Sequence, residues 1–164
     1  TKGNQVSLSD YKGKYVVMEW INYDCPFVGK HYESGNMQEL QKIYRNKGVV
    51  WLAICSNKPG SQGNFEDEEI HRRWDDHKST LTAYLKDEDG TVGRLYGATN
   101  TPHMYVVNPE GTLVYMGAID SISTADQADI KKANNYVSMS LDAVLAGQDV
   151  PVKATKAYGC TVKY

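Results

Sequence analysis

The chain has 164 residues, 41% of them hydrophobic, and a formal net charge of −2. That length and apolar content suit one core, and no linker marks off a second one. The scattered charges leave no basic stripe for a nucleic-acid backbone, and no apolar run approaches the roughly 18 residues of a membrane span.

Thr1-Lys2-Gly3-Asn4-Gln5 reads as a hairpin turn whose first strand is missing, so a truncated N-terminal strand is expected, and a removed signal peptide is one route to such a start. Apolar runs of strand length, rich in Val, Ile, Tyr or Trp, recur at 15–21, 49–54, 103–107 and 112–118, and helix-like segments separate the earlier ones. This alternation predicts an α/β sheet. Over 26–46, Met37, Leu40, Ile43 and Tyr44 at helical spacing predict a first long helix stopping at Gly48, with Ser34-Gly35-Asn36 able to bend it. Asn64 stands as a cap before the acids of 65–69, and Ile70 and Trp74 share a face, which predicts a short helix over 65–77.

Residues 81–85 read as a further strand, and Thr91 as the cap of a two-turn helix reaching Tyr96. The stretches 104–107 and 112–116, joined by Asn108-Pro109-Glu110-Gly111, predict a β-hairpin. Thr124 with Gln127 matches a capping box for a last helix whose apolar face is Ile130, Ala133, Val137, Leu141, Val144 and Leu145, ended by Gly147 and Pro151. Residues 148–164 form a polar tail with an aromatic, cysteine-bearing end, set apart from a domain over 1–147.

Cys25 stands where the first strand hands over to the first helix, inside Asn22-Tyr23-Asp24-Cys25-Pro26-Phe27-Val28. Pro26 suits the first helical position, which makes Cys25 the entry residue and turns its sulfur towards unpaired backbone N–H groups. Those donors and the helix dipole favour a thiolate. A buried cysteine acting as a small apolar residue is the plainer reading of the same position.

With Cys-Pro at the first strand-to-helix junction and Thr101-Pro102 opening the hairpin, the chain resembles a thioredoxin-like fold, a central mixed β-sheet flanked by helices. Within it the chain is most similar to the peroxiredoxin-like redoxins of the alkyl hydroperoxide reductase and thiol-specific antioxidant group. The residues that carry the likeness are Val6-Ser7-Leu8-Ser9-Asp10-Tyr11-Lys12-Gly13-Lys14, Asp24-Cys25-Pro26-Phe27-Val28, the stretch from Tyr96 to His103, Val106-Val107-Asn108-Pro109-Glu110-Gly111-Thr112-Leu113, and Gly159-Cys160. The resemblance implies a thiol oxidoreductase with no organic cofactor and no metal, in which Cys25 is the nucleophile towards a peroxide or a disulfide and a thiol reductant protein restores it. It also implies a cis bond before Pro102, with Thr101 presenting backbone polar groups to the cysteine. His103, the next residue, reads equally as a proton donor or acceptor at the same mouth and as a strand histidine bonded to a neighbour.

Val28 stands where thioredoxin-like reductants carry a second cysteine, so a local Cys-x-x-Cys exchange is excluded. Resolution of an oxidised Cys25 then falls to Cys160, to Cys55 or to an external thiol. Cys160 is the first choice, because its tail can move and Gly159 eases its approach, whereas Cys55 ends an apolar run; a Cys25–Cys160 bond could equally be structural. Two departures weaken the peroxidase reading: Asn22 replaces the peroxide-activating threonine three residues before the cysteine, and the arginine beside the thiolate has no counterpart. Asp24 would disfavour a neighbouring negative charge unless it points to solvent.

Lys30 and His31 read as a solvated face, and Arg94 as surface or as a contributor of charge near the site. The competing reading is a redoxin-fold binding module with a non-cycling Cys25. Metal handling by Cys25 with His31 or His103 lacks a second closely spaced thiolate, and His71 and His77 lack ligand spacing. The missing start and the tail cysteine tilt the location towards an extracytoplasmic one.

Overall fold

The computed structural model describes residues 3–164; the Thr1 and Lys2 part of the expected hairpin lies outside the described residues. The first apolar run forms β1 (Val16–Trp20), the second β2 (Val50–Cys55), and the third and fourth β5 (His103–Val107) and β6 (Leu113–Gly117), with β3 (Ala83–Lys86) as predicted and a short β4 (Asn100–Thr101) before β5. The sheet order is β3-β2-β1-β5-β6. The pairs β1·β2 and β2·β3 are parallel, while β1·β5 and β5·β6 are antiparallel.

Both faces of the sheet are covered, which is why its strands read as continuous apolar runs. Val17, Ile21, Trp51, Ala53, Met104 and Val106 pack against helical residues such as Tyr32, Met37, Val137 and Leu141. On the opposite face Val16, Met18, Trp20, Leu52, Ile54 and Tyr105 form a second cluster. Among the described residues no helix is long and apolar enough to cross a membrane.

The helices depart from the sequence reading where side chains compete with the expected caps. The segment 26–46 is two helices, α1 (Pro26–Glu33) and α2 (Asn36–Arg45), because Gly35 adopts φ +80°, which a right-handed helix cannot contain. Helix α3 (Asp67–Asp76) starts beyond Asn64, whose amide donates instead to the Asn57 carbonyl and to Glu88. For α4 (Thr91–Tyr96) the cap residue is Gly90, not Thr91, and the Asp87 carboxylate accepts from the Val92 and Gly93 amides.

The last predicted helix is also divided. Asp126 caps a 3-10 turn over Gln127–Lys132, and Asn135 caps α5 (Tyr136–Leu145) by accepting from the Ser138 amide. Between them the chain bends to pair with residues 119–121, through Tyr136 N to Ile119 O and Ser121 N to Asn134 O. Thr124, read as a cap, donates to Asp129.

The largest departure is the tail, which is fastened along its length and does not hang free. The Thr155 amide donates to Met116 O, and Gly117 leaves room for Thr155, since a Cβ there would come 2.2 Å from Thr155 Oγ1. Further on, β7 (Cys160–Thr161) pairs antiparallel with β4, the Lys163 amide donates to Asn57 Oδ1, and Tyr164 donates to Ala98 O while its ring lies under Arg94.

A carboxyl group lies inside the core. Glu19, fully buried in β1, accepts from Trp51 Nε1 (2.9 Å) and Tyr32 OH (3.1 Å) on one carboxyl oxygen and leaves the other without a partner. Burial outweighs those two bonds and pushes its carboxyl from 4.5 up to about 7. Between these values the unfolded chain releases the proton and the folded chain keeps it, so stability falls as pH rises through that window and levels off above it. At about 1.36 kcal/mol per unit the fall is on the order of 3 kcal/mol. Denaturant titrations at pH 5 and pH 7.5 should show Glu19→Gln losing less stability than the parent over that interval; an identical loss in both proteins would show that Glu19 is ionised throughout.

Candidate active site

After β1 the chain turns through Asn22, whose carbonyl accepts from the Cys25 amide (3.0 Å) and whose Oδ1 accepts from the Asp24 amide (2.9 Å). This turn delivers Cys25 as the N-cap of α1 in an extended conformation (φ −82°, ψ 123°), the region that a following proline enforces. Pro26 occupies the first helical turn as predicted. The orientation of the sulfur differs from the sequence reading. It makes no capping bond to the helix amides; the thiol donates to the Thr101 carbonyl at 3.0 Å, and Cys25 is 1% exposed. A protonated thiol is a donor, and Thr101 supplies the acceptor within its reach.

The Thr101–Pro102 peptide is cis. Thr101 is also the register partner of Cys160 across β4 and β7, and its hydroxyl donates to the Cys160 carbonyl at 3.4 Å. The tail strand thus brings Cys160 against Cys25. The Cys160 thiol is pushed up to about 12, first by burial and then by the neighbouring Cys25 sulfur. All three cysteines are unbridged. Gly159 makes the approach possible: it sits at φ +126°, and a Cβ there would stand 2.0 Å from the Thr101 carbonyl oxygen.

Asp24 does not face solvent alone. Its carboxylate accepts from Arg73 Nη1 at 2.8 Å, while Arg73 Nε donates to Glu69 and the guanidinium stacks on Phe65 at 4.2 Å. Sequence reasoning missed Arg73, whose one local signal is the four-residue spacing to Glu69. Asn22, at the position of the missing threonine, is engaged in the turn and packed against Gly63, where a Cβ would come 2.3 Å from its side chain.

The reading of Lys30 and His31 as solvated is corrected, since both are buried. Lys30 pairs with Asp120 at 3.0 Å, and burial holds His31 down to about 4 against the pull of Asp120, with Lys30 adding to the fall. His103 is brought to the wrong face for the site. Its Nδ1 accepts from the Thr99 amide and stands 3.4 Å from Tyr105 OH, in the layer of Trp20 and Tyr105, and burial lowers it to about 4. Arg94 donates to Asp89 O and stacks on Tyr164.

Cys55 ends β2, donates to Gly63 O at 3.3 Å, and is pushed up by burial. Among the described residues no three His, Cys, Asp or Glu side chains converge as a metal would require. Beside Cys25 opens a cleft of about 370 Å³ lined by Tyr23, Asp24, Pro26, Gly29, Glu33 and Gln127.

Similarities to known proteins follow the same outline. The thioredoxin domain of a thiol-disulfide oxidoreductase from Bacteroides vulgatus superposes with a TM-score of 0.56 at 24% identity, over 80% of this chain and 86% of that one, which shows a thioredoxin-like fold. An uncharacterized conserved protein from Geobacillus kaustophilus matches 99% of this chain and 84% of its own, with a TM-score of 0.80 and 29% identity, so its likeness includes the fastened tail. Glutathione peroxidase 1 of Helianthus annuus is 38% identical over 69 residues, 42% of this chain and 40% of that protein. The chain spans about two-fifths of the length of the first curated relatives it matches. The model of the AhpC/TSA family matches residues 1–116, a span that holds Cys25, Thr101, Pro102 and four of the five strands of the central sheet in full, and the chain belongs to that family.

Proposed function

We propose that the protein is a thiol-dependent peroxidase that cycles between the Cys25 and Cys160 thiols and a disulfide joining them. The observation that carries this reading is the meeting of the two cysteines at Thr101, whose carbonyl accepts from the Cys25 thiol and whose register partner across β4 and β7 is Cys160. Cys25 reacts as the thiolate, the nucleophilic form of a cysteine. That sulfur attacks the peroxide ROOH; the O–O bond breaks, ROH leaves with a proton, and Cys25 becomes a sulfenic acid. The Cys160 sulfur then attacks the oxidised one, and the hydroxyl leaves as water. A dithiol reductant protein returns the pair to the thiol state by exchange.

Burial and the neighbouring Cys25 sulfur hold the Cys160 thiol protonated in the reduced pair. The name of the glutathione peroxidase relative supports peroxide as the oxidant. A disulfide substrate would enter by attack of the same Cys25 sulfur. The pairing of two cysteines suits an oxidising, extracytoplasmic compartment.

One equivalent of hydrogen peroxide added to the reduced protein, followed by mass mapping, should give a Cys25–Cys160 disulfide in the parent and a trappable Cys25 sulfenic acid in Cys160→Ser; Cys25→Ser should consume no peroxide. Oxidation confined to Cys55, or a Cys25 that stays reduced, overturns the proposal and favours a binding module. Gly159→Ala should drive the tail strand off Thr101, speeding alkylation of Cys25 and slowing disulfide formation, each by about tenfold, the factor equivalent to about 1.4 kcal/mol. Stopped-flow alkylation and single-turnover assays read both; unchanged rates would show that Gly159 does not set the approach of the two sulfurs.

A further inference from the structure

Three residues of α1, Phe27, Lys30 and His31, lie on one helical face and are turned inward, where they form a socket with Asp120 from the segment after β6. The side chain that fills this socket is Tyr158, two residues before Cys160. Its ring meets Phe27 edge-on at 5.8 Å. Its hydroxyl donates to Asp120 Oδ1 at 2.5 Å and lies 3.4 Å from Lys30 Nζ and 3.3 Å from His31 Nε2. The Asn36 amide at 2.8 Å from His31 Nδ1 fixes the neutral tautomer with its proton on Nε2, so His31 donates to the Tyr158 oxygen.

Every donor and acceptor at this hydroxyl is then used. Lys30 directs its three protons to Asp120 Oδ2 (3.0 Å), the Ile122 carbonyl (2.8 Å) and Tyr158. A buried lysine–carboxylate pair is costly unless such additional bonds complete it, and Tyr158 is the partner that the tail supplies. The helix whose N-cap is Cys25 therefore also carries the receptacle that fixes the register of Cys160.

We propose that Tyr158 is a positioning residue for the resolving step, holding Cys160 opposite Thr101 so that its sulfur meets Cys25. This rests on the peroxidase reading above. The step it serves is Cys25–SOH plus Cys160–SH giving the Cys25–Cys160 disulfide and water, with the peroxide as the oxidant that produced the sulfenic acid. The hydroxyl takes no part in bond making; it raises the effective concentration of one sulfur at the other.

Tyr158→Phe keeps the ring against Phe27 and removes the hydroxyl. In a Cys160→Ser background, the rate of sulfenic acid formation at Cys25 should not fall when Tyr158→Phe is added, because loosening the tail uncovers that sulfur and removes no group the first step uses. With Cys160 present, single-turnover disulfide formation should slow about tenfold, and Cys25 should pass further to the sulfinic acid under excess peroxide. Equilibration in a thiol redox buffer should show the Cys25–Cys160 disulfide about tenfold less favoured, a shift of about 30 mV for this two-electron couple. A loss of overall stability alone would not separate the two steps in this way.

His31→Ala removes one of the three bonds at the hydroxyl and should move the same two readouts in the same direction by a smaller factor, which keeps the test available should the first variant fold poorly. If the parent forms no Cys25–Cys160 disulfide, the functional reading fails. If it does, and both variants form it at the parental rate and potential, the positioning role alone is overturned.

Discussion

The Thr101 carbonyl and the strand pairing around it hold the site together. The oxygen accepts the Cys25 thiol at 3.0 Å, belongs to the residue paired with Cys160, and lies where only a glycine at 159 can pass. Three parts of the chain, distant in sequence, meet at this one acceptor. The second sulfur near Cys25 comes from the tail, since Val28 on α1 cannot provide it, and the two-residue strand β7 brings it in by pairing with β4.

The charges near the two cysteines are paired with one another and with the tail. Asp24, which would oppose ionisation next to it, is neutralised by Arg73 from α3, and Arg73 is itself held by Glu69 and by the Phe65 ring. Cys160 keeps its proton because of burial and its neighbour. Lys30, the cation nearest in sequence on α1, is directed to Asp120 and Tyr158, so its charge is used on the tail's anchorage.

The strands were legible because a sheet covered on both faces needs unbroken apolar runs, and Cys25-Pro26 and Thr101-Pro102 carry their backbone constraints in the local sequence. The helix ends were less so. Gly35, Asp87 and Asn135 decide them through a left-handed turn or a side chain that accepts from helix amides, each a residue or a few away from the position that pattern alone would choose. The buried Lys30 and His31 were misread for another reason: charged residues on a helix imply solvent until a partner is known, and Asp120 lies 90 positions further on. His103 was readable by parity, since in β5 it shares a face with Tyr105, whereas Met104 and Val106 lie on the side of the core that holds Cys25.

The tail crosses the site as a strap secured at both ends, by Thr155 against Met116 and Gly117 on one side and by Tyr164 against Ala98 on the other. A cross-link between Cys25 and Cys160 would therefore be made in a segment whose freedom folding has already removed. Its entropic effect then falls on the denatured chain, where it would close a long loop, and little further ordering is asked of the native molecule.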